Sequence, residues 1–168
     1  RSSGRALEHT KKNLKAGHPW WNAGLEDSAG TAGPARCAAI GLLWSNDPQT
    51  AAYEAALSCL VTHGHIAAIA GSAALAAAMA LATQQTTLDD QWMTTAAQIA
   101  EDLCGPNRTT ERLRIAAQMT TVNHKSALEM IGSGPVSWEA IPAAIYCAAT
   151  ANHPIDAIIK AVQAGGDT

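Results

Sequence analysis

Residues 61–83 read VTHGHIAAIAGSAALAAAMALAT, and the fold turns on this stretch. From Ile66 to Ala82 there is no charge, and the run is Ala, Leu, Ile and Met broken only by Gly71 and Ser72. Alanine is the best helix former. A helix with no polar face is buried on every side rather than laid on a surface. A membrane span needs about 20 strongly apolar residues, so this shorter, Ala-rich run predicts a central buried helix and no membrane partner. Small side chains let neighbouring helices approach closely. The sequence around it should therefore supply several helices that pack against this one.

The whole chain agrees with that. Of 168 residues 48% are hydrophobic but only 4% aromatic, with no Phe, and β-branched residues are sparse. Sheet is disfavoured, and the expected fold is all-α: an orthogonal array of about eight helices in one domain over 1–168. The net charge of −3 comes without a basic stripe, so no nucleic-acid partner is expected. Cys37, Cys59, Cys104 and Cys147 lack CxxC spacing and read as small buried hydrophobes. Reduced thiols fit a cytoplasmic location. A monomer is expected. No leader pattern stands at the start, and the first residue is Arg1 rather than Met.

Working outward, Ser3 is the expected cap of a first helix over 3–16, ended by Gly17. A loop over 18–34 follows, long enough to invite a functional reading. Pro34 suits the first turn of a second helix to about Trp44. Asp47 and Pro48 open a third, which runs to about His63 and is ended by Gly64. The Ala-rich fourth covers 65–83. Thr86 or Thr87 should cap a fifth helix reaching Cys104, and Thr109 or Thr110 should open a sixth to about Thr121. The stretch 121–136 reads as irregular. Ser137 is the expected cap of a seventh helix over 138–150, with Pro142 in its first turn, and an eighth covers 155–164.

Three constellations carry chemistry. SAGTAGPAR, 28–36, leads small flexible residues into a helix N-terminus. Backbone N–H groups and the helix dipole there suit a phosphate, and an ordinary Gly-rich loop is the plainer reading. In VTHGHI, 61–66, His63 ends one helix and His65 begins the next. A helix C-terminus favours a protonated imidazole, so a surface capping histidine is the plainer reading. In AGGDT, 164–168, Asp167 beside Thr168 offers oxygens to a hard cation, although one carboxylate is too few to hold Mg²⁺ or Mn²⁺. Asp89 and Asp90 fall in a first helical turn, where acids favour the dipole. Glu139 falls in another and reads as a dipole or capping residue.

Four segments together resemble the ADP-ribosylglycohydrolase family, in the family's order. LEDSAGTAGPARCAAIGLLW resembles its Ser-x-Gly-x-Gly loop and helix. DPQTAAYEAALSCLVTHGHIAAIAGSAALAAAMALA resembles its helix, Thr-His turn and central Ala-rich helix. GSGPVSWEAIPAAIYCAAT resembles its Gly-x-Gly-aromatic loop and the helix after it. HPIDAIIKAVQAGGDT resembles its penultimate helix running into Gly-Gly-Asp-Thr/Ser-Asp-Thr. Three positions depart from the pattern: Ala32 replaces the loop's second Gly, Ala35 the Met before Arg, and Pro135 the aromatic after Gly134, with Trp138 close by. If Ala32 needs positive φ, its Cβ costs about 1 kcal/mol.

The resemblance implies hydrolysis of a glycosidic bond between ADP-ribose and an acceptor such as a protein arginine, with a small ADP-ribose conjugate as the other substrate class. It implies two divalent cations, Mg²⁺ or Mn²⁺, about 3.5–4 Å apart. Ser28, Gly30, Thr31 and Gly33 match the phosphate loop, His63 the Thr-His histidine near ADP-ribose, and Asp167 the first metal-binding Asp of the last motif. No residue is assigned as the catalytic acid or base. The chain reads as the central and C-terminal portion of the family's domain. The other metal-binding acids are expected before Arg1 and after Thr168, so the segment alone is expected to be inactive and to expose apolar faces. The alternative is a non-catalytic helical module that binds ADP-ribose or a protein.

Overall fold

The computed structural model describes residues 4–85 and 88–165. The described residues form nine α-helices and no strand: α1 (Arg5–Lys15), α2 (Ala32–Leu43), α3 (Pro48–Leu60), α4 (Ile66–Ala82), α5 (Asp90–Cys104), α6 (Arg108–Gln118), α7 (His124–Ile131), α8 (Ser137–Ala149) and α9 (Pro154–Gln163). The all-α expectation holds. The extra helix is α7, in the stretch read as irregular. It begins at Asn123, whose side chain accepts from the Lys125 N–H, and ends at Gly132 in the left-handed region, φ +88°. At eight residues it is barely two turns long, and its glycine-rich exit hid it.

Helix α4 is the axle of the fold. It packs against α2, α3, α5, α6 and α8. Its alanines are buried around the whole helix, as the charge-free run requires. No helix of the described residues is long and apolar enough to cross a membrane. On one side of α4 lie Cys37, Ala51, Ala55, Ala76 and Ala80, a core of small side chains joining α2, α3 and α4. On the other side Trp92, Met93, Leu113, Ile131, Ile145 and Tyr146 fill a larger core with α5, α6, α7 and α8. The indole N–H of Trp92 donates to the carbonyl of Ala78 at 2.9 Å, so the largest of these side chains keeps its polar atom satisfied inside.

Several ends depart from the sequence reading. Ser3, Thr86 and Thr87 lie outside the described residues. The side chain that caps α5 is Asp89, which accepts from the Trp92 N–H at 2.8 Å, in keeping with its structural reading. Asn107, not a threonine, opens α6 through a capping box with Thr110. Asp47 caps α3 ahead of Pro48, as expected, and Gly17 follows α1 at φ +87°. Val136 precedes α8, and Ser137, one position later, makes no cap bond; its hydroxyl is used elsewhere. Cys37, Cys59 and Cys147 are buried as expected, whereas Cys104 is only half-buried, and all four thiols are free.

Candidate functional site

Residues 18–34 are not structureless. A 3-10 turn over Trp20–Asn22 leads to Ala23, which is fully buried. The chain then pairs with the α3–α4 connection. The Leu25 N–H donates to the Thr62 carbonyl at 3.1 Å, and the Gly64 N–H donates back to the Leu25 carbonyl at 2.9 Å. The approach is tight enough that a Cβ on Gly64 would lie 2.8 Å from Glu26 Cα. Thus Gly64 is required by close approach of the Leu25–Glu26 backbone, not by a helix-ending turn.

Beyond Asp27 the loop crosses to α8. The Ser137 N–H donates to the Ala29 carbonyl at 2.8 Å, and the Ser137 hydroxyl donates to the Gly30 carbonyl at 2.9 Å. Ser137 was read as a helix cap because Ser before a helical pattern usually is one. It is instead fully buried and its oxygen reaches back across the sequence. The loop thus lies between the α3–α4 connection and the start of α8, and enters α2 at Thr31. No side chain caps α2, so its first N–H groups keep their capacity to donate to an anion. Neither the Ser28 nor the Thr31 hydroxyl has a hydrogen-bond partner among the described residues.

The glycines of this loop serve proximity. No non-glycine residue among those described has positive φ, and Gly30 and Gly33 do not either. Ala32 is the first helical residue of α2, so the strain expected there is absent. A Cβ on Gly33 would sit 2.7 Å from Cys59 Sγ and 3.3 Å from His63 Nδ1, and one on Gly30 would sit 3.6 Å from His63 Nε2. Bare backbone at Gly33 is what allows the loop to close on Cys59 and the imidazole, while Gly30 lies at ordinary contact distance from the ring.

His63 is not a surface cap. Helix α3 ends at Leu60, and His63 is 4% exposed. Its Nδ1 lies 2.7 Å from the Thr62 hydroxyl. That hydroxyl also accepts from Arg36 Nη2 at 2.8 Å, and the same guanidinium nitrogen donates to the Ser58 carbonyl at 2.6 Å. Burial, and then the Arg36 charge, hold the His63 pKa below the ordinary 6.5. The protonated imidazole expected of a helix C-terminus is therefore replaced by a neutral one. Arg36 and Thr62 were missed as neighbours. The available signal was spacing, since Arg36 lies three residues after Gly33 and so shares its helix face.

The second histidine has a structural task. His65 Nδ1 accepts from the Ala67 N–H at 3.1 Å and so caps α4. Its ring lies 5.8 Å from that of Trp138, tilted by 43°. The Arg108 guanidinium covers Trp138 at 5.6 Å from the ring centroid. Glu139 is also engaged. One carboxylate oxygen accepts from the Gly134 N–H at 2.9 Å, and the other lies 3.6 Å from Arg112 Nη1. A Cβ on Gly132 would lie 2.7 Å from Glu139 Cγ, and one on Gly134 would lie 2.5 Å from Glu139 Oε2. The Gly-Ser-Gly stretch is bare so that this carboxylate can cap it.

The structure therefore places Gly30 and Gly33 on His63, with Thr31 at the N-cap position of α2 and Ser28 earlier in the same loop. Asp167 lies outside the described residues. Among the described residues no group of three or more His, Cys, Asp and Glu side chains is placed to hold a metal ion.

Fold and site define an all-α protein whose glycine-bearing loop opens a helix N-terminus over a buried histidine. Comparison with known proteins gives that class a family. The family described as ADP-ribosylglycohydrolase matches residues 1–168, and the chain belongs to it. It is also similar to an uncharacterized protein of Archaeoglobus fulgidus, at 31% identity over 156 residues. That match covers 92% of this chain and 50% of the relative, so the chain spans about half the length of the curated relative it matches.

Proposed function

We propose that the complete protein hydrolyses the glycosidic bond between ADP-ribose and an acceptor such as a protein arginine, and that this chain supplies the pyrophosphate-binding part of its site. The observation that carries the reading is the loop itself. Gly30 and Gly33 lay bare backbone on His63, the uncapped N-terminus of α2 follows at once, and the same loop carries two hydroxyls, Ser28 and Thr31. N–H groups and a helix dipole bind phosphate without needing a basic patch, which suits a chain of net charge −3. Family membership supports the glycohydrolase class.

The proposal includes Mg²⁺ or Mn²⁺. The described residues do not form a cation site by themselves. Asp167 is the carboxylate offered to it. When bound, such cations polarise oxygens and orient water. The residues of this chain would hold the diphosphate, and His63 would meet it as a neutral group. Monomeric, cytoplasmic action on an ADP-ribosylated protein or a small conjugate completes the proposal.

The test is release of ADP-ribose from an ADP-ribosylated arginine substrate by the full-length protein with Mg²⁺. The expected result is release that falls at least tenfold in Gly30→Val, which fills the loop over His63. Binding of ADP-ribose with no release from any conjugate would replace this reading with that of a non-catalytic ADP-ribose-binding module.

A further inference from the structure

The heavy atoms around His63 favour one direction for its hydrogen bonds over the other. A guanidinium only donates. Arg36 Nη2 therefore gives a hydrogen to the Thr62 oxygen at 2.8 Å. The Thr62 hydroxyl hydrogen has one acceptor within reach among the described residues, His63 Nδ1 at 2.7 Å. Were Nδ1 to carry a proton, that hydroxyl hydrogen would be left without a partner on a side chain that is itself buried, 7% exposed. An unmet buried donor costs about 1–3 kcal/mol.

We infer that Arg36 and Thr62 are positioning residues that hold His63 as the neutral Nε2–H tautomer, so that it donates a hydrogen bond from Nε2 to an anionic oxygen of the ligand on the Gly30 loop. The donor half rests on the loop's being a diphosphate site, as proposed above. The relay half stands on geometry within the free protein. Nε2 is the nitrogen nearest to Gly30, where a Cβ would stand 3.6 Å away. The Arg36 fork is fully oriented from behind: Nε donates to the Ser58 hydroxyl at 3.4 Å, Nη1 to the Ala32 carbonyl at 3.5 Å, and Nη2 to the Ser58 carbonyl. The guanidinium pairs with no carboxylate among the described residues. Its charge therefore acts on Thr62 and His63 without a counter-ion. Cys59, whose thiol lies 3.8 Å from the His63 backbone carbonyl, is pushed up to about 11 by burial and stays neutral. The imidazole is thus built to present a fixed N–H, as an oxyanion needs, and not a lone pair.

The experiment is long-range ¹H–¹⁵N correlation of the histidine side chains in the full-length protein without ligand, followed by ADP-ribose binding. A pyrrole-type Nε2 and a pyridine-type Nδ1 are expected for His63. Thr62→Val should convert this to a mixture of tautomers, and Thr62→Ser should restore it. Arg36→Met alters only a residue at the surface and so keeps the fold. It should also mix the tautomers, because the hydroxyl then loses its fixed donor. ADP-ribose affinity should fall about tenfold in Thr62→Val and Arg36→Met and return in Thr62→Ser. A pyrrole-type Nδ1 in the wild-type protein overturns the relay whatever the ligand. An unchanged tautomer in both Thr62→Val and Arg36→Met does the same. A correct tautomer in a wild-type protein that binds no ADP-ribose overturns the donor role together with the proposed function, and separates that failure from failure of the relay.

Discussion

The two sides of α4 hold their neighbours by opposite means. Toward α2 and α3 the core is Ala and Cys, and backbones nearly touch; a Cβ on Gly41 would lie 2.4 Å from the Ala76 carbonyl oxygen and 2.6 Å from Met79 Cβ. Toward α5, α6 and α8 the space is filled by Trp92, Met93, Leu113, Ile131 and Tyr146. The first side has little to lose from truncation and no room for addition. The second has far more to lose from truncation. The difference matters for the site, because the α2 N-terminus and His63 are both carried on the close-packed side.

The largest effect should come from truncation on the wide side. Leu113→Ala removes a fully buried side chain and should lower stability by about 3–4 kcal/mol, within the range for buried Leu, measured as the urea midpoint of the full-length protein. Next, Gly41→Ala adds one methyl group against backbone that cannot step aside. It should cost about 3 kcal/mol, at the upper end for overpacking. Ala55→Gly truncates the narrow side and should cost only about 1 kcal/mol, chiefly from helix propensity. If Ala55→Gly proved as costly as Leu113→Ala, the contrast between the two sides would be lost.

The smallest effect is expected from pH. Burial, then Arg36, hold the His63 pKa below its ordinary value of 6.5, so the unfolded chain binds the proton more readily. The resulting contribution to stability is fully present above about pH 6.5, the unfolded value. It is lost as pH falls toward and through the depressed folded value. Denaturant midpoints across that window should decline more steeply for wild type than for His63→Gln. Equal slopes would show that the buried imidazole is not what titrates.

How far the sequence was legible follows from the same contrast. A charge-free run of alanines has one physical solution, a helix covered on all sides, so α4 and the all-α class could be read directly. Asp47-Pro48 and Gly17 mark helix ends by local backbone chemistry and were equally readable. Helix α7 was not, because its eight residues give too few turns for a periodic pattern, and the cluster Gly132 to Pro135 that follows has the composition of a loop. The loop 28–33 and His63 could be singled out from sequence, but not the reason for their geometry. Glycine was expected to supply unusual φ, whereas Gly33 is needed for its missing side chain beside Cys59 and His63. Ser137 looked like a cap because local sequence contains no trace of Gly30, its true partner. Contacts between distant segments leave no local signature, and the site is made mostly of those.

That last bond joins residues 107 positions apart. Closing so long a connection carries an entropic cost that is offset only when the intervening elements are in place. The observed shape of the glycine loop therefore depends in part on the position of α8. A change at the start of α8 that displaced Ser137 would therefore be felt at Gly30, far away in sequence, before it was felt by its own neighbours in the chain.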